Sequence, residues 1–297
     1  MGHHHDHGHH HHAEGNIKAA FFLNLAFTII EIIGGLYTNS LAILSDAVHD
    51  LGDSLSLGLS WYFQKLSKKG RTDTFSYGYR RFSLLGALIN TIVLIVGSIL
   101  ILTHAIPELF NPSHTDAKGM MYLAILGVIV NGAAVFKVRK GETLNEKVVS
   151  LHLLEDVLGW VAVLFGAIVM QFFDVPIIDP LLSVLISLWV LWNVVKNLRK
   201  SLLVLLQGIP EDVNIKEIHA KLEAFPEVKE IHDCHIWSMD GAYNVLTIHV
   251  KLNQNYSLDS QALLKSKFRK ILAHEFINHI TMEFEGPDEK CLGEAEG

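Results

Sequence analysis

Cysteine is nearly absent. Cys234 and Cys291 are the only two in 297 residues, which excludes a disulfide-stapled secreted scaffold and fits a reducing, cytosolic setting for the segment that carries them. No secretory signal is expected, because the chain begins with a histidine tract and its first apolar run is too long and wrongly flanked for a cleaved h-region. Positive charge is also scarce: 24 Lys and Arg stand against 31 Asp and Glu, for a formal net charge of −7 with the 18 His counted as neutral. The basic residues that do occur sit beside long apolar runs, so nothing in them argues for a nucleic-acid partner. There is no solenoid-type repeat, and the His-Glu-x-x-His motif of zinc hydrolases is missing.

What is abundant is apolar surface. Half of the residues (50%) are hydrophobic, too many for an ordinary soluble chain of this length, and they crowd the first two thirds. The expected division is a His-rich tail over 1–15, a transmembrane domain over 16–207 and a soluble domain over 208–297. The tract MGHHHDHGHHHH at the start reads either as an expression tag or as a flexible metal-collecting tail, and its breaks at Asp6 and Gly8 favour the second.

Hydropathy places spans near 16–37, 41–64, 82–107, 118–138, 147–172 and 178–200, each close to the ~20 residues that a bilayer core requires. An even number of spans puts both termini on one side. Lys65, Lys68, Lys69, Arg71, Arg80 and Arg81 follow the second span. Lys137, Arg139, Lys140 and Lys147 follow the fourth, and Lys196, Arg199 and Lys200 close the sixth. The opposite loops offer essentially Lys118, so the positive-inside rule assigns both termini to the cytoplasm of a multi-pass protein in the cell (inner) membrane.

Two short stretches stand out within these spans. His49 with Asp53, and His152 with Asp156, are each spaced i, i+4, which stacks both side chains on one helix face. Ionisable groups at that depth cost roughly 2.5–3.5 kcal/mol each on insertion scales, so they point to function. Two imidazoles and two carboxylates from two helices make a tetrahedral cage suited to zinc. Two nitrogens argue against Mg and Ca, while cobalt, cadmium and nickel fit by ligand type. Asp46 and Asp50 form a competing i, i+4 pair on the same helix, and spacing alone tolerates Asp46 as a residue behind the ligands or a proton handler. Asn24, Asn90 and Asn131 read as interhelical hydrogen-bonding groups, and Gly34, Gly35, Gly86, Gly97 and Gly127 as points of close helix approach. Glu31 reads equally as a structural partner or a proton carrier.

Beyond Gly208-Ile209-Pro210 the pattern becomes that of a soluble domain. A helix is expected over 212–224 and strands over 228–237 and 242–252, joined by a turn at 239–241. A second helix over 257–274 and a last strand over 280–284 complete an αββαβ order, with two helices on one face of a three-stranded sheet. Alternation puts His279, Thr281, Glu283 and Glu285 on one face of the last strand.

NSLAILSDAVHDLGDS (39–54), TFSYGYRRFSLLGAL (74–88), LHLLEDVLGW (151–160), Asp179-Pro180 and HDCHIW (232–237) together resemble the cation diffusion facilitator family over almost the whole chain, in its bacterial cobalt-zinc-cadmium resistance and zinc-transporter branch. The resemblance implies an α-helical membrane protein of six transmembrane helices followed by a small ferredoxin-like α+β cytoplasmic domain that binds metal and dimerises. It further implies a homodimer that exports cytoplasmic Zn2+ in exchange for protons by alternating access, with Cd2+ and Co2+ as further cargoes. The family's transport site falls on His49, Asp53, His152 and Asp156. Its second site, in the loop after the second span, is not carried over, because Phe75 and Tyr79 stand at the His positions beside Asp73. In the cytoplasmic domain, His232, His249 and Glu285 match the family's metal ligands. His279 matches less closely, and Cys291, Cys234 and His235 are near candidates.

Exchange with protons needs no separate relay, since zinc binds deprotonated imidazole and carboxylate and loading therefore expels protons. An intramembrane metalloenzyme is disfavoured by the closed four-ligand shell. The remaining alternative is a membrane metal sensor or scaffold that binds without transporting.

Overall fold

The computed structural model describes residues 9–67, 69–138, 144–289 and 291; side chains are described from residue 21 onward, apart from 60, 61, 64, 65, 67, 136–138 and 144–153. Most of the His tract therefore lies outside the described residues. Two compact units make up the chain: Met1–Lys68 with Leu85–Asn197, and Lys69–Leu84 with Leu198–Gly297.

The first two thirds fold into α1 (His9–Thr38), α2 (Leu41–Ser67), α3 (Phe82–Glu108), α4 (Ala117–Val138), α5 (Leu144–Phe173) and α6 (Ile178–Leu205). Within these, Phe21–Thr38, Phe82–Glu108, Ala117–Val135, Leu154–Phe173 and Ile178–Leu205 are long and apolar enough to cross a membrane. α2 is equally long but carries Asp46, Asp50 and Asp53 along its length, and it buries Asp46 and Asp50 inside the bundle. Outward faces are apolar, with Ile92, Ile129, Phe165 and Trp192 all exposed, as a helix facing lipid tails requires.

Local chemistry sets the first turn. Asn39 takes a positive φ of 55° directly after α1, a conformation that Asn tolerates better than most residues. Ser40 then caps α2, its hydroxyl accepting the Ile43 N–H at 3.2 Å. The helices approach closely where glycine removes a side chain. A Cβ on Gly52 would collide with Leu94, one on Gly97 with Val48, and one on Gly127 with the Trp160 indole. Around these contacts, Phe27, Ile43, Met120, Trp160 and Val163 form one buried cluster, and Leu94, Val190 and Val194 another.

The C-terminal unit contains α7 (Ile215–Glu223), β1 (Val228–Ser238), β2 (Asn244–Leu252), α8 (Leu258–His274) and β3 (Ile277–Glu285), the αββαβ order read from the sequence. The sheet runs β1-β2-β3, with β1 and β2 antiparallel and β2 and β3 parallel. The parallel pair requires a crossover, which α8 supplies. Asn214 and Ser257 cap the two helices. Ile218 and Leu222 of α7 and Leu264, Phe268 and Leu272 of α8 pack on Leu246, Ile248, Val250 and Leu252 of β2, so both helices cover one face and leave the other without a helix.

Two strand starts differ from expectation. β2 begins at Asn244, because the Asp240 carboxylate takes the Ala242 and Tyr243 N–H groups at 3.0 and 2.8 Å and holds them in the turn. β3 begins three residues early, at Ile277, where Phe276 at φ 60° breaks from the helix end and Asn244 pairs with Ile277. The stretch 69–84 belongs to this unit: Arg80 pairs with Asp240 at 3.4 Å and lies over the Tyr243 ring, and the Tyr77 ring meets His279 edge-on.

Candidate metal sites

α2 and α5 bring three of the four intramembrane candidates together. His49 Nε2 lies 3.7 Å from Asp53 Oδ2 on its own helix and 3.6 Å from Asp156 Oδ1 on α5. Both separations are too long for a hydrogen bond. They are close to the about 3.3–3.6 Å edges of a tetrahedron built from zinc–nitrogen and zinc–oxygen bonds. Asp50 also offers an oxygen within 4.8 Å of the His49 and Asp53 ligand atoms, a neighbour that the sequence left open. His152 belongs to α5, and its side chain lies outside the described residues. The His49 ring packs edge-on against Trp189 of α6, centroids 5.8 Å apart.

A cavity of about 350 Å³ reaches His49 and Asp53 and is lined beyond them by Ser56, Asn90, Glu155, Asn193 and Asn197. These residues lie toward the C-terminal ends of α2 and α6 and the N-terminal part of α3, the end that carries the basic clusters. At the opposite end the α1–α2 and α3–α4 connections are tied to each other. Asn39 Nδ2 donates to Ser113 Oγ and to His114 O at 3.1 and 3.2 Å, and the Asp116 N–H donates to Thr38 O at 2.9 Å. The Asp179 carboxylate takes the Ser40 hydroxyl at 2.5 Å and the Leu41 N–H at 2.7 Å. Below it, Ser45 joins Ser183 at 2.7 Å and Ser187 at 3.3 Å.

The asparagines divide. Asn24 bridges α1 to α2 through Asp50 O and Ser54 Oγ, and Asn90 donates to Ser56 across α3 and α2 at 2.6 Å. Asn131 instead bonds back to Gly127 O of its own helix at 3.2 Å. Phe75 and Tyr79 pack against each other and against Phe82 with tilted or edge-on rings, an aromatic cluster where the resemblance would have placed histidines.

In the C-terminal unit the candidates gather on the open sheet face. His232 of β1 lies opposite His249 of β2. His249 Nδ1 stands 2.8 Å from Glu285 Oε1, and His232 Nε2 stands 3.2 Å from Glu285 Oε2. Among the described residues, His232 Nδ1 is buried without a hydrogen-bond partner, and His232 Nε2 and Glu285 Oε2 are buried with only their ion-pair contact to each other. Such groups are costly to bury unless something binds them, so the donor set fits a metal ion. Burial alone would raise the Glu285 carboxyl; the His249 hydrogen bond, the His232 charge and Cys291 hold it below the usual carboxylate range.

His279 shares this face but not this place. It pairs with Val245, whereas Glu283 pairs with His249, so four residues of strand, ~13 Å, separate it from the cluster. His235 is exposed and bonded to Asp233 at 2.7 Å. Asp233 sits at φ 48° in a bulge between His232 and His235, which turns its other oxygen to 3.4 Å from His249 Nε2. Cys234 points the opposite way, packed against the hydrophobic core.

The sequence of residues 17–206 matches the model of the cation efflux transmembrane domain, and 210–286 that of the cation efflux protein cytoplasmic domain. The chain belongs to the cation efflux family. It is a multi-pass membrane protein of a family of transporters, not enzymes. Similar cation efflux proteins include the metal cation efflux system protein CzcD of Cupriavidus metallidurans, 36% identical over 96% of this chain and 90% of that one. The cadmium, cobalt and zinc/H(+)-K(+) antiporter of Bacillus subtilis is 33% identical over 96% and 92%. The zinc transporter ZitB of Escherichia coli is 32% identical over 97% and 95%.

Proposed function

We propose that this cation efflux protein exports Zn2+, with Cd2+ and Co2+ as further cargoes, from the cytoplasm in exchange for protons. His49, Asp53, His152 and Asp156 hold the ion in transit. The observation that carries this reading is the 3.6–3.7 Å spacing of His49 Nε2 from two carboxylates on separate helices, in the wall of a cavity lined by both polar and apolar side chains. That spacing is close to the edge of a tetrahedron whose ligands share one ion. The cavity and the tied opposite end support a state open to the side with the basic loops, which the positive-inside rule makes the cytoplasm. Both termini then lie in the cytoplasm and the protein in the inner membrane.

Proton exchange follows from the ligands. Imidazole and carboxylate bind zinc only when deprotonated, so loading releases protons and an acidic far side favours unloading. The name of one relative above, a cadmium, cobalt and zinc/H(+)-K(+) antiporter, supports exchange with protons. Residues 16–207 form the transport unit. Residues 208–297 form a cytoplasmic dimerisation domain, where His232, His249 and Glu285 bind a regulatory metal ion and draw two protomers into a homodimer. A non-transporting metal sensor is the alternative, supported by that second ligand cluster.

Reconstitution separates the two. Proteoliposomes with an imposed proton gradient accumulate zinc, and a protonophore collapses the uptake. Metal binding without gradient-dependent uptake would instead favour the sensor.

A further inference from the structure

The open-face cluster has a sulfur neighbour brought in by a built turn. After β3 the chain reverses at Gly286, where the Glu289 N–H donates to Gly286 O at 3.2 Å and the Glu289 carboxylate takes the Gly286 N–H at 2.8 Å. Two residues later, Cys291 Sγ stands 3.4 Å from His249 Nδ1. His232, His249, Glu285 and Cys291 each offer one ligand atom within 4.8 Å of the others. Glu285 is only 3% exposed, and its Oε2 points into this cluster, where His232 Nε2 stands 3.2 Å away.

We propose that Cys291 supplies a thiolate as the fourth ligand of this site, closing a tetrahedral shell of two imidazoles, one carboxylate and one sulfur around a thiophilic divalent ion. This rests on the reading of His232, His249 and Glu285 as metal ligands, and it adds what they lack. Three protein ligands leave a coordination position for water, whereas a fourth closes the site as structural zinc sites are closed. Sulfur selects Zn2+ and Cd2+ over Mg2+ and Mn2+. On binding, the thiol gives its proton to solvent and forms the metal–sulfur bond, so the ion fastens the segment after β3 to the sheet. Cys234 is no competitor, since it packs against the hydrophobic core on the opposite face of the sheet.

Cobalt tests this on the full-length protein in detergent, with a non-thiol reductant present. The intramembrane candidates carry only nitrogen and oxygen ligands, so a sulfur-to-cobalt charge-transfer band in the near ultraviolet reports Cys291 without interference. The band is expected in the unaltered protein, retained in Cys234→Ser and lost in Cys291→Ser. A band that persists in Cys291→Ser overturns the proposal. If no band forms while equilibrium dialysis shows a cobalt ion lost on His249→Ala, the sulfur ligand is wrong and the three-ligand site stands. If His249→Ala leaves cobalt binding unchanged and no band forms, the site and its sulfur fall together.

Discussion

Asp179 and Leu41, 138 positions apart, are joined by a 2.7 Å hydrogen bond from the Leu41 N–H to the Asp179 carboxylate. With the Ser40 hydroxyl and the Ala42 N–H on its other oxygen, a side chain at the start of α6 caps the start of α2. This fixes the depth of the helix that carries His49 and Asp53. Asp179→Ala leaves these donors buried and unpartnered, at a cost of about 3 kcal/mol. A thermal-unfolding midpoint in detergent checks this, with Asp179→Asn expected to lose less.

Gly127 lies against the indole of Trp160, which is 1% exposed. Gly127→Ala must displace a large buried ring, and overpacking of that kind costs about 1–3 kcal/mol. A Cβ at Gly132, on the same helix, meets nothing within 4 Å. Gly132→Ala should therefore leave the midpoint unchanged or raise it slightly, and the pair read together isolates packing from helix propensity.

Trp189 orients the His49 imidazole through its edge-on contact. Such a pair contributes about 0.5–1.5 kcal/mol beyond buried area, so Trp189→Ala should weaken zinc binding roughly two- to tenfold. Trp189→Phe keeps an aromatic partner and should stay near the unaltered affinity. Calorimetric titration of zinc into the purified protein distinguishes the two.

Lys221 links the two helices of the C-terminal unit. It pairs with Glu217 at 2.7 Å and with Glu275 beyond the end of α8, and these hydrogen bonds raise its ammonium above the ordinary lysine value. A raised folded value means that the contribution is complete below about 10.4, the unfolded lysine value, and is lost as pH climbs through the folded one. Lys221→Met should flatten that alkaline fall in unfolding midpoint and leave the neutral range little changed, since exposed pairs contribute little.

Much of this was legible in the sequence because it is periodic and local. The His49–Asp53 pair follows from helical spacing inside an apolar run, and the αββαβ order follows from strand alternation between turn residues. Long-range relationships were not legible. Nothing near Asp179 announces Leu41 as its partner, and Asn131 looks like the other membrane asparagines until its own Gly127 carbonyl takes its amide. Alternation puts His279 and Glu283 on one strand face, yet only the register with β2 shows that Glu283 and not His279 lies opposite His249. Cys291 was a near candidate in the sequence, but only the turn at Gly286 shows that it reaches that histidine.

The most direct test measures zinc binding and gradient-driven zinc flux on one preparation of Asp53→Asn and Asp156→Asn proteoliposomes, beside the unaltered protein. The expected result is loss of flux in both variants, together with loss of one intramembrane zinc ion from each protomer, in membranes where the protein remains folded. Flux at the unaltered rate in either variant would contradict the proposal that these carboxylates hold the cargo.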